Sequence, residues 1–154
     1  MFVRITAYWL DHPKLLVTDR FQRVLNAAAR VVTNTRKYDR GLHHTMRHEL
    51  HWLDMSERIQ FQIATTVYLC LHGRAPEYLS ELFTPVNQRS SRYRLQSSQS
   101  NQLVVPPVKL STYGPCSFAV AGPTTWNSLP EYLHDPELSI DSFWRQLKTF
   151  LFAQ

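Results

Sequence analysis

Residues 117–133, SFAVAGPTTWNSLPEYL, hold the features that decide how this chain can fold. Gly122, Pro123 and Pro130 disfavour both helices and sheet ladders, so the segment has the composition of a solvated loop. A solvated loop has little reason to carry the indole of Trp126 among further apolar side chains. We therefore predict a partly extended path of turns that positions Trp126.

The size of the Trp126 ring favours a place in the core. We predict that it packs between helices around Phe21 and Ile63. Removing about 150–250 Å² of ring surface from water stabilises a fold by at most about 4–6 kcal/mol. The alternative is an exposed Trp126 that stacks on nucleic-acid bases. The lack of a neighbouring Arg or Lys favours the core.

Outside this segment, apolar residues recur at helical spacing and predict a mainly α fold. We expect a small domain of about five helices, with the Pro/Gly-rich, partly extended segment lying before the last helix. Thr18, Ser56 and Ser139 are the expected N-caps of the first, third and last helices. The helices are predicted near residues 18–35, 41–52, 56–72, 76–83 and 140–152.

The first and third predicted helices carry the main apolar faces. The third helix is apolar over much of its surface, from Ile59 through Ile63 and Val67, which indicates a central position in the core. Cys70 belongs to the same row, so we interpret it as a small core residue rather than a nucleophile. In the first helix, the side chains predicted to share the core-facing side are those of Phe21, Val24, Leu25, Ala28, Val31 and Val32.

Three histidines share one face of the second predicted helix, namely His44, His48 and His51. Histidines at this spacing can bind zinc. The sequence shows no fourth ligand, which favours a solvated polar face. We therefore expect neither a metal nor another cofactor.

The cellular setting follows from the cysteines and the apolar runs. Cys70 and Cys116 lie far apart and match no disulfide or metal pattern, which is typical of a reducing, intracellular compartment. No window approaches the run of about 18 apolar residues that a membrane span requires. We expect no membrane partner.

We divide the chain into four segments that we expect to form one domain overall. Residues 1–12 match no pattern, and residues 13–84 are the helical part. Residues 85–102 are rich in Ser, Gln and Arg and read as a basic flexible linker. Residues 103–154 form an extended and turn-rich segment and a C-terminal helix that packs on the helical part. The stretch LVVPPVKL, which opens this last segment, is compatible with a short edge strand before its first proline.

Positive charge is concentrated in the first two-thirds of the chain. The net charge is +5 and the isoelectric point about 9.5, which favours an anionic partner. Aromatic side chains between arginines are typical of surfaces that stack on bases. The alternative is an ordinary solvated surface. The candidate nucleic-acid-binding residues are Arg23, Arg30, Arg36, Lys37, Arg40, Arg89, Arg92, Tyr93 and Arg94.

Five stretches, in order, resemble one protein family. They are FQRVLNAAARVV (21–32), LHWLDMSERIQFQI (50–63), LHGRAPEYLSELF (71–83), LVVPPVKLSTYGPCSFAVAGPTTWNSLP (103–130) and SFWRQLKTFLF (142–152). Together they resemble the extreme C-terminal region of reverse transcriptases from non-LTR retrotransposons, in the jockey-like and chicken-repeat-like lineages. The resemblance spans roughly residues 13–152, and its most recognisable part is the Trp-Asn-Ser-Leu-Pro run that begins at Trp126.

The resemblance implies a piece of an RNA-directed DNA polymerase without its catalytic palm. Such a polymerase needs closely placed carboxylates to hold two metal ions. No two acidic residues are adjacent in this chain, so we expect no enzymatic activity from it alone. The chain departs from the family at Asp54, where the family usually has proline, and near Gln62, where a basic residue is common.

Two functions remain open at the level of the sequence. The first is weak, sequence-tolerant binding to the phosphate backbone of RNA or DNA. The second is a structural or protein-docking module that braces the rest of a reverse transcriptase, or an inert relic of a truncated element. A large exposed apolar patch would favour the docking alternative.

Overall fold

The computed structural model describes residues 14–86, 101–107 and 117–153 of the chain. These residues form a mainly α structure, which confirms the predicted fold class. None of the helices in these ranges is both long and apolar enough to cross a bilayer. The helices are α1 (Lys14–Thr33), α2 (Leu42–His48), α3 (Met55–Leu71), α4 (Glu77–Ser80), α5 (Phe118–Asn127) and α6 (Ile140–Phe152), with a 3₁₀ turn at Glu131–Leu133.

The chain divides into two compact units, residues 1–59 and residues 60–154, and the division falls within α3. Each unit has its own buried residues and is described by itself. The predicted single domain, with boundaries near residues 12, 84 and 102, stays a prediction.

The core of the first unit forms where α1 meets α2. Ala29 and Met46 are almost fully buried, and Leu42 is buried beside them. The partly buried side chains of Leu25, Leu50 and Trp52 pack against this cluster. Leu42 and Met46 are four residues apart, so α2 turns one face toward this cluster.

Helix α2 is shorter than predicted, because it ends at His48 instead of residue 52. The backbone N–H groups of Glu49 and Leu50 both donate to the carbonyl oxygen of Thr45, which closes the last turn. The chain then leaves the helix through His51, whose φ of 52° lies in the left-handed region. Left-handed backbone at a residue with a side chain cannot continue a right-handed helix.

The predicted orientation of α1 is wrong for most of its apolar residues. Phe21, Val24, Val31 and Val32 are 54%, 67%, 82% and 62% exposed. The buried face of α1 instead contains Ala29 and lies beside the face that was predicted to be buried. Thr18 is also not an N-cap, because the helix begins one turn earlier, where two leucines favour helix formation.

A hydrogen-bond network explains why α1 turns this side inward. The side-chain oxygen of Gln22 accepts the backbone N–H of Met55 at 2.7 Å, and its amide nitrogen donates to Asp54 at 3.3 Å. The N–H of Met55 lies in the first turn of α3, where no carbonyl of the helix itself is available. The partly buried Gln22 satisfies that donor, and its hydrogen bonds hold α1 against the start of α3.

Helix α3 begins at Met55, so the predicted cap at Ser56 is wrong. The carbonyl of Asp54 accepts the N–H of Arg58, which makes Asp54 the residue that flanks the helix. The carboxylate of Glu57 reaches back and accepts the N–H of Asp54 at 2.9 Å. This is the reaching-back half of a capping box. A proline at position 54 would lack this N–H.

The second unit is built around Trp126, whose ring is 2% exposed. The indole packs against Phe143 and His134, with ring centroids 6.0 Å and 5.0 Å away. The prediction of a buried ring is confirmed, and a ring so buried cannot serve as a base-stacking platform. Phe21, which was predicted to line a core around this ring, is instead 54% exposed.

The side-chain amide of Asn127, the last residue of α5, binds the backbone of Leu103. It accepts the N–H of Leu103 at 2.9 Å and donates to the carbonyl of Leu103 at 2.8 Å. Leu103 also forms an isolated antiparallel bridge with Pro85. Within the described residues, the predicted edge strand is reduced to this single bridge. Both ends of the predicted linker 85–102 are thus hydrogen-bonded into the fold, and residues 87–100 lie outside the described residues.

Helix α6 follows the prediction closely. It spans Ile140–Phe152, and the side chain of Ser139 accepts the N–H of Ser142, which confirms the predicted N-cap. Phe143 and Leu147 are fully buried, and the hydroxyl of Tyr68 donates to the carbonyl of Leu138 just before the helix. Helix α4 lies within the predicted range but has only four residues.

The main correction concerns residues 118–127, which form helix α5 rather than extended turns. Gly122 and Pro123 lie inside this helix, and proline there removes one backbone hydrogen bond. Packing favours the helix nonetheless, because Gly122 and Pro123 are both buried. A Cβ at Gly122 would lie 2.6 Å from Cε1 of Phe83 and 3.2 Å from Cγ2 of Val67. The glycine is needed for close approach and not for an unusual turn.

We expect Gly122→Ala to destabilise the protein by about 1–2 kcal/mol. Overpacking against Phe83 costs about 1–3 kcal/mol, and the better helix propensity of alanine offsets up to about 1 kcal/mol of it. Urea unfolding followed by circular dichroism measures the change. The double variant Gly122→Ala/Phe83→Leu should lose less stability than the sum of the two single variants, because the smaller side chain makes room. Strict additivity would show that the contact is not the cause.

Candidate nucleic-acid interface

A short turn after α1 carries three of the six Lys and Arg residues that are exposed among residues 18–59. We name residues 36–40, Arg-Lys-Tyr-Asp-Arg, the basic turn. The N–H of Arg36 donates to a carboxylate oxygen of Asp39 at 2.9 Å, and the N–H of Asp39 donates to the carbonyl of Arg36 at 3.1 Å. These reciprocal bonds close the turn, as an Asp side chain commonly does.

Arg30 fastens the basic turn to α1. Its guanidinium donates to the carbonyl of Lys37 at 2.6 Å and to that of Arg36 at 3.4 Å. Charge-assisted bonds of this kind are stronger than neutral ones. Arg30 is only half-exposed. The nucleic-acid contact predicted for Arg30 stays a prediction, and its hydrogen bonds position the backbone of the turn.

The outward side of the basic turn combines cations with an aromatic ring. Arg36, Lys37 and Arg40 are exposed, and Tyr38 is 87% exposed. The ammonium of Lys37 lies 5.6 Å from the centre of the Tyr38 ring. A flat ring next to several cations is the combination with which proteins hold single-stranded nucleic acids.

Tyr38 is not among the site residues predicted from the sequence, although its sequence neighbours carry a signal. The prediction recognised Tyr93 as an aromatic residue between arginines. Tyr38 has the same setting between Lys37 and Arg40, separated from the latter by Asp39. The pattern of an aromatic residue within a basic run could therefore have identified it.

The carboxylates of the first unit are largely engaged. Glu57 forms an ion pair with Arg47 at 2.6 Å, and Asp54 contacts His43 at 3.0 Å. The carboxylate of Asp39 accepts the backbone N–H of Arg36 in the basic turn. The cations that remain exposed can therefore act on an outside anion.

The two units differ in charge. Residues 14–59 contain nine Lys and Arg residues and five Asp and Glu residues, a net charge of +4. The described residues from 60 onward contain three Lys and Arg residues and six Asp and Glu residues, a net charge of −3. Attraction for an anion is thus a property of the first unit within the described ranges.

The predicted site residues divide into three groups. Arg30, Arg36 and Lys37 are brought together by hydrogen bonds, and Arg40 completes the same turn. Arg23 is exposed on α1, two turns before Arg30, at a rise of about 10 Å. The residues that lie outside the described residues are Arg89, Arg92, Tyr93 and Arg94.

Two of the three histidines predicted to share a helix face lie together in α2. The rings of His44 and His48 stack with centroids 4.2 Å apart, whereas His51 lies beyond the end of α2. Within the described ranges, no three His, Cys, Asp or Glu residues are grouped so that they could hold a metal ion.

Cys70 is placed as a core residue. It is buried within α3, and burial raises the pKa of its thiol. The thiol therefore stays protonated at neutral pH and is a poor nucleophile. This agrees with the interpretation made from the sequence.

Comparisons with protein-family models, with curated proteins and with solved structures give no match for this chain.

We expect Arg30→Ala to loosen the basic turn. The loss of an exposed charge-assisted bond, worth roughly 1 kcal/mol, should speed amide exchange at Asp39 about fivefold. Hydrogen exchange followed by NMR measures this rate. Arg23→Ala is the matched control and should leave the rate unchanged. Equal rates in the two variants would remove the positioning role from Arg30.

Proposed function

We propose that the chain is a C-terminal part of a non-LTR retrotransposon reverse transcriptase that holds RNA or single-stranded DNA. The resemblance of five ordered stretches supports the family. The basic turn supports the activity, and the observation that carries it is the exposed Tyr38 among exposed cations. The chain alone contributes binding and no phosphoryl transfer, since it has no adjacent carboxylates for metal ions.

The proposed contact is independent of sequence. Arg36, Lys37 and Arg40 bind phosphate oxygens, while Tyr38 stacks on one base. Arg30 keeps the turn closed and so limits the freedom that binding must remove. Every base has a face on which to stack, so the surface does not select a particular sequence.

The proposal leads to a defined salt dependence. Each phosphate contact releases a counterion, so log affinity falls with log salt by about 0.7 per contact for single strands. The triple variant Arg36→Gln/Lys37→Gln/Arg40→Gln should flatten this slope by about two units. Fluorescence anisotropy of a labelled oligouridine and a labelled oligothymidine, titrated from low to high salt, measures the slope.

A matched control carries the same charge change in the second unit. Arg74→Gln/Arg145→Gln/Lys148→Gln should leave the slope and the affinity close to those of the unmodified protein. If both triple variants lose the same affinity, binding follows net charge alone and the basic turn is not the site. Arg89→Ala/Arg92→Ala/Arg94→Ala tests the remaining sequence candidates in the same titration.

A second prediction separates stacking from charge. Tyr38→Ala should weaken binding about 5- to 150-fold, the effect of losing one stacked base, without changing the salt slope. Tyr38→Phe keeps a flat ring and should retain most of the affinity. Tyr78→Ala removes an exposed tyrosine of the second unit and serves as the control. Equal binding by Tyr38→Ala and the control would remove Tyr38 from the site.

A further inference from the structure

Helix α1 presents an exposed apolar row that the basic turn does not use. We name Phe21, Val24, Ala28 and Val31 the apolar seam. All four are exposed, and Val32 is exposed beside them. Neighbouring members of the seam are three, four and three residues apart. The partly buried Leu25 and the buried Ala29 lie along one side of it.

The spacing of the seam indicates what kind of surface it fits. Apolar residues that alternate at three and four positions form the contact row of helices packed side by side, as in coiled coils. Such a row runs along one face of a straight helix for several turns. A partner helix can therefore follow the seam over the three turns from Phe21 to Val31, whereas an extended strand has a different period.

The charge beside the seam indicates the sign of the partner. At about 100° per residue, Arg20 borders the seam on the side away from Leu25, and Arg23 follows farther round the helix. Both arginines are exposed. Asp19 is the only acidic residue in α1. A second copy of α1 would thus add arginines and almost no carboxylate, while an acidic partner would neutralise them.

We propose that the apolar seam of α1 docks an amphipathic helix of another polypeptide whose apolar row is bordered by carboxylates. The seam accepts the apolar row, and Arg20 and Arg23 pair with the carboxylates. Helix-to-helix recognition of this type places the energy in the apolar contacts and the orientation in the flanking charges. The proposal does not depend on nucleic-acid binding, because the basic turn contributes none of the seam.

The test uses two synthetic helical peptides of 18 residues. Each has leucines spaced alternately three and four residues apart. One has Glu along the edge of that row, and the other has Lys at the same positions. Fluorescence anisotropy against the full chain should show the Glu peptide binding at least about tenfold more tightly than the Lys peptide. Equal affinity for the two peptides would overturn the charge argument.

Two sets of substitutions in α1 separate its roles. Val24→Ser/Val31→Ser should lower the affinity for the Glu peptide at least about tenfold, because each substitution removes an apolar contact. Arg20→Glu/Arg23→Glu should reverse the preference toward the Lys peptide. Circular dichroism must show unchanged helix content in both variants. Ala27→Ser, an exposed change outside the seam, is the control and should leave binding unchanged.

Other occupants of the seam give different outcomes in the same set of experiments. Sedimentation velocity that shows a dimer of the chain, lost in Val24→Ser/Val31→Ser, would assign the seam to a second copy and overturn the proposal. Binding to vesicles of phosphatidylcholine and phosphatidylserine, with no binding to the Glu peptide, would assign it to a membrane surface. Loss of nucleic-acid binding by the basic-turn variants with unchanged peptide binding would leave the seam proposal standing.

Discussion

The indole N–H of Trp126 must find an acceptor, because a buried donor without a partner costs about twice what a typical hydrogen bond contributes. It donates to the carbonyl of Asn101 at 3.0 Å. The side chain of Asn101 in turn donates to the carbonyl of His134, and Nε2 of His134 lies 2.8 Å from the carbonyl of Trp126. These three hydrogen bonds join α5, residue His134 after the 3₁₀ turn, and Asn101. The second unit is organised by the need to bury one large ring without leaving its polar atom unpaired.

The parts of the fold that could be predicted are those where local preference and tertiary packing agree. Helix α6 begins after Ser139 and buries Phe143 and Leu147, as its periodicity indicates. Helix α5 could not be predicted, because its close packing involves Phe83, a residue 39 positions from Gly122. Glycine and proline disfavour a helix locally, and a close contact far along the sequence outweighs that preference. A prediction from neighbouring residues alone does not include the contact between Gly122 and Phe83.

Helix α1 shows a different reason for failure. Its hydrophobic pattern was read correctly as a helix, but the pattern alone assigned the buried side to Phe21 and Val24. A polar residue, Gln22, faces the first turn of α3 and satisfies a backbone donor there. In the basic turn, the cations Arg36 and Lys37 could be found from charge, whereas the positioning role of Arg30 required knowledge of which carbonyls its guanidinium reaches.

The bond between Gln22 and Met55 also links a helix that is made earlier during synthesis to one that is made later. The two residues are 33 positions apart, and the helix that supplies the cap is made before the helix that needs it. A nascent chain in which α1 has already emerged can therefore complete the first turn of α3 as soon as Glu57 and Arg58 leave the ribosome. Translation supplies residues in the direction in which domains generally fold. The arrangement allows the first unit to close while most of the remaining chain is still being made.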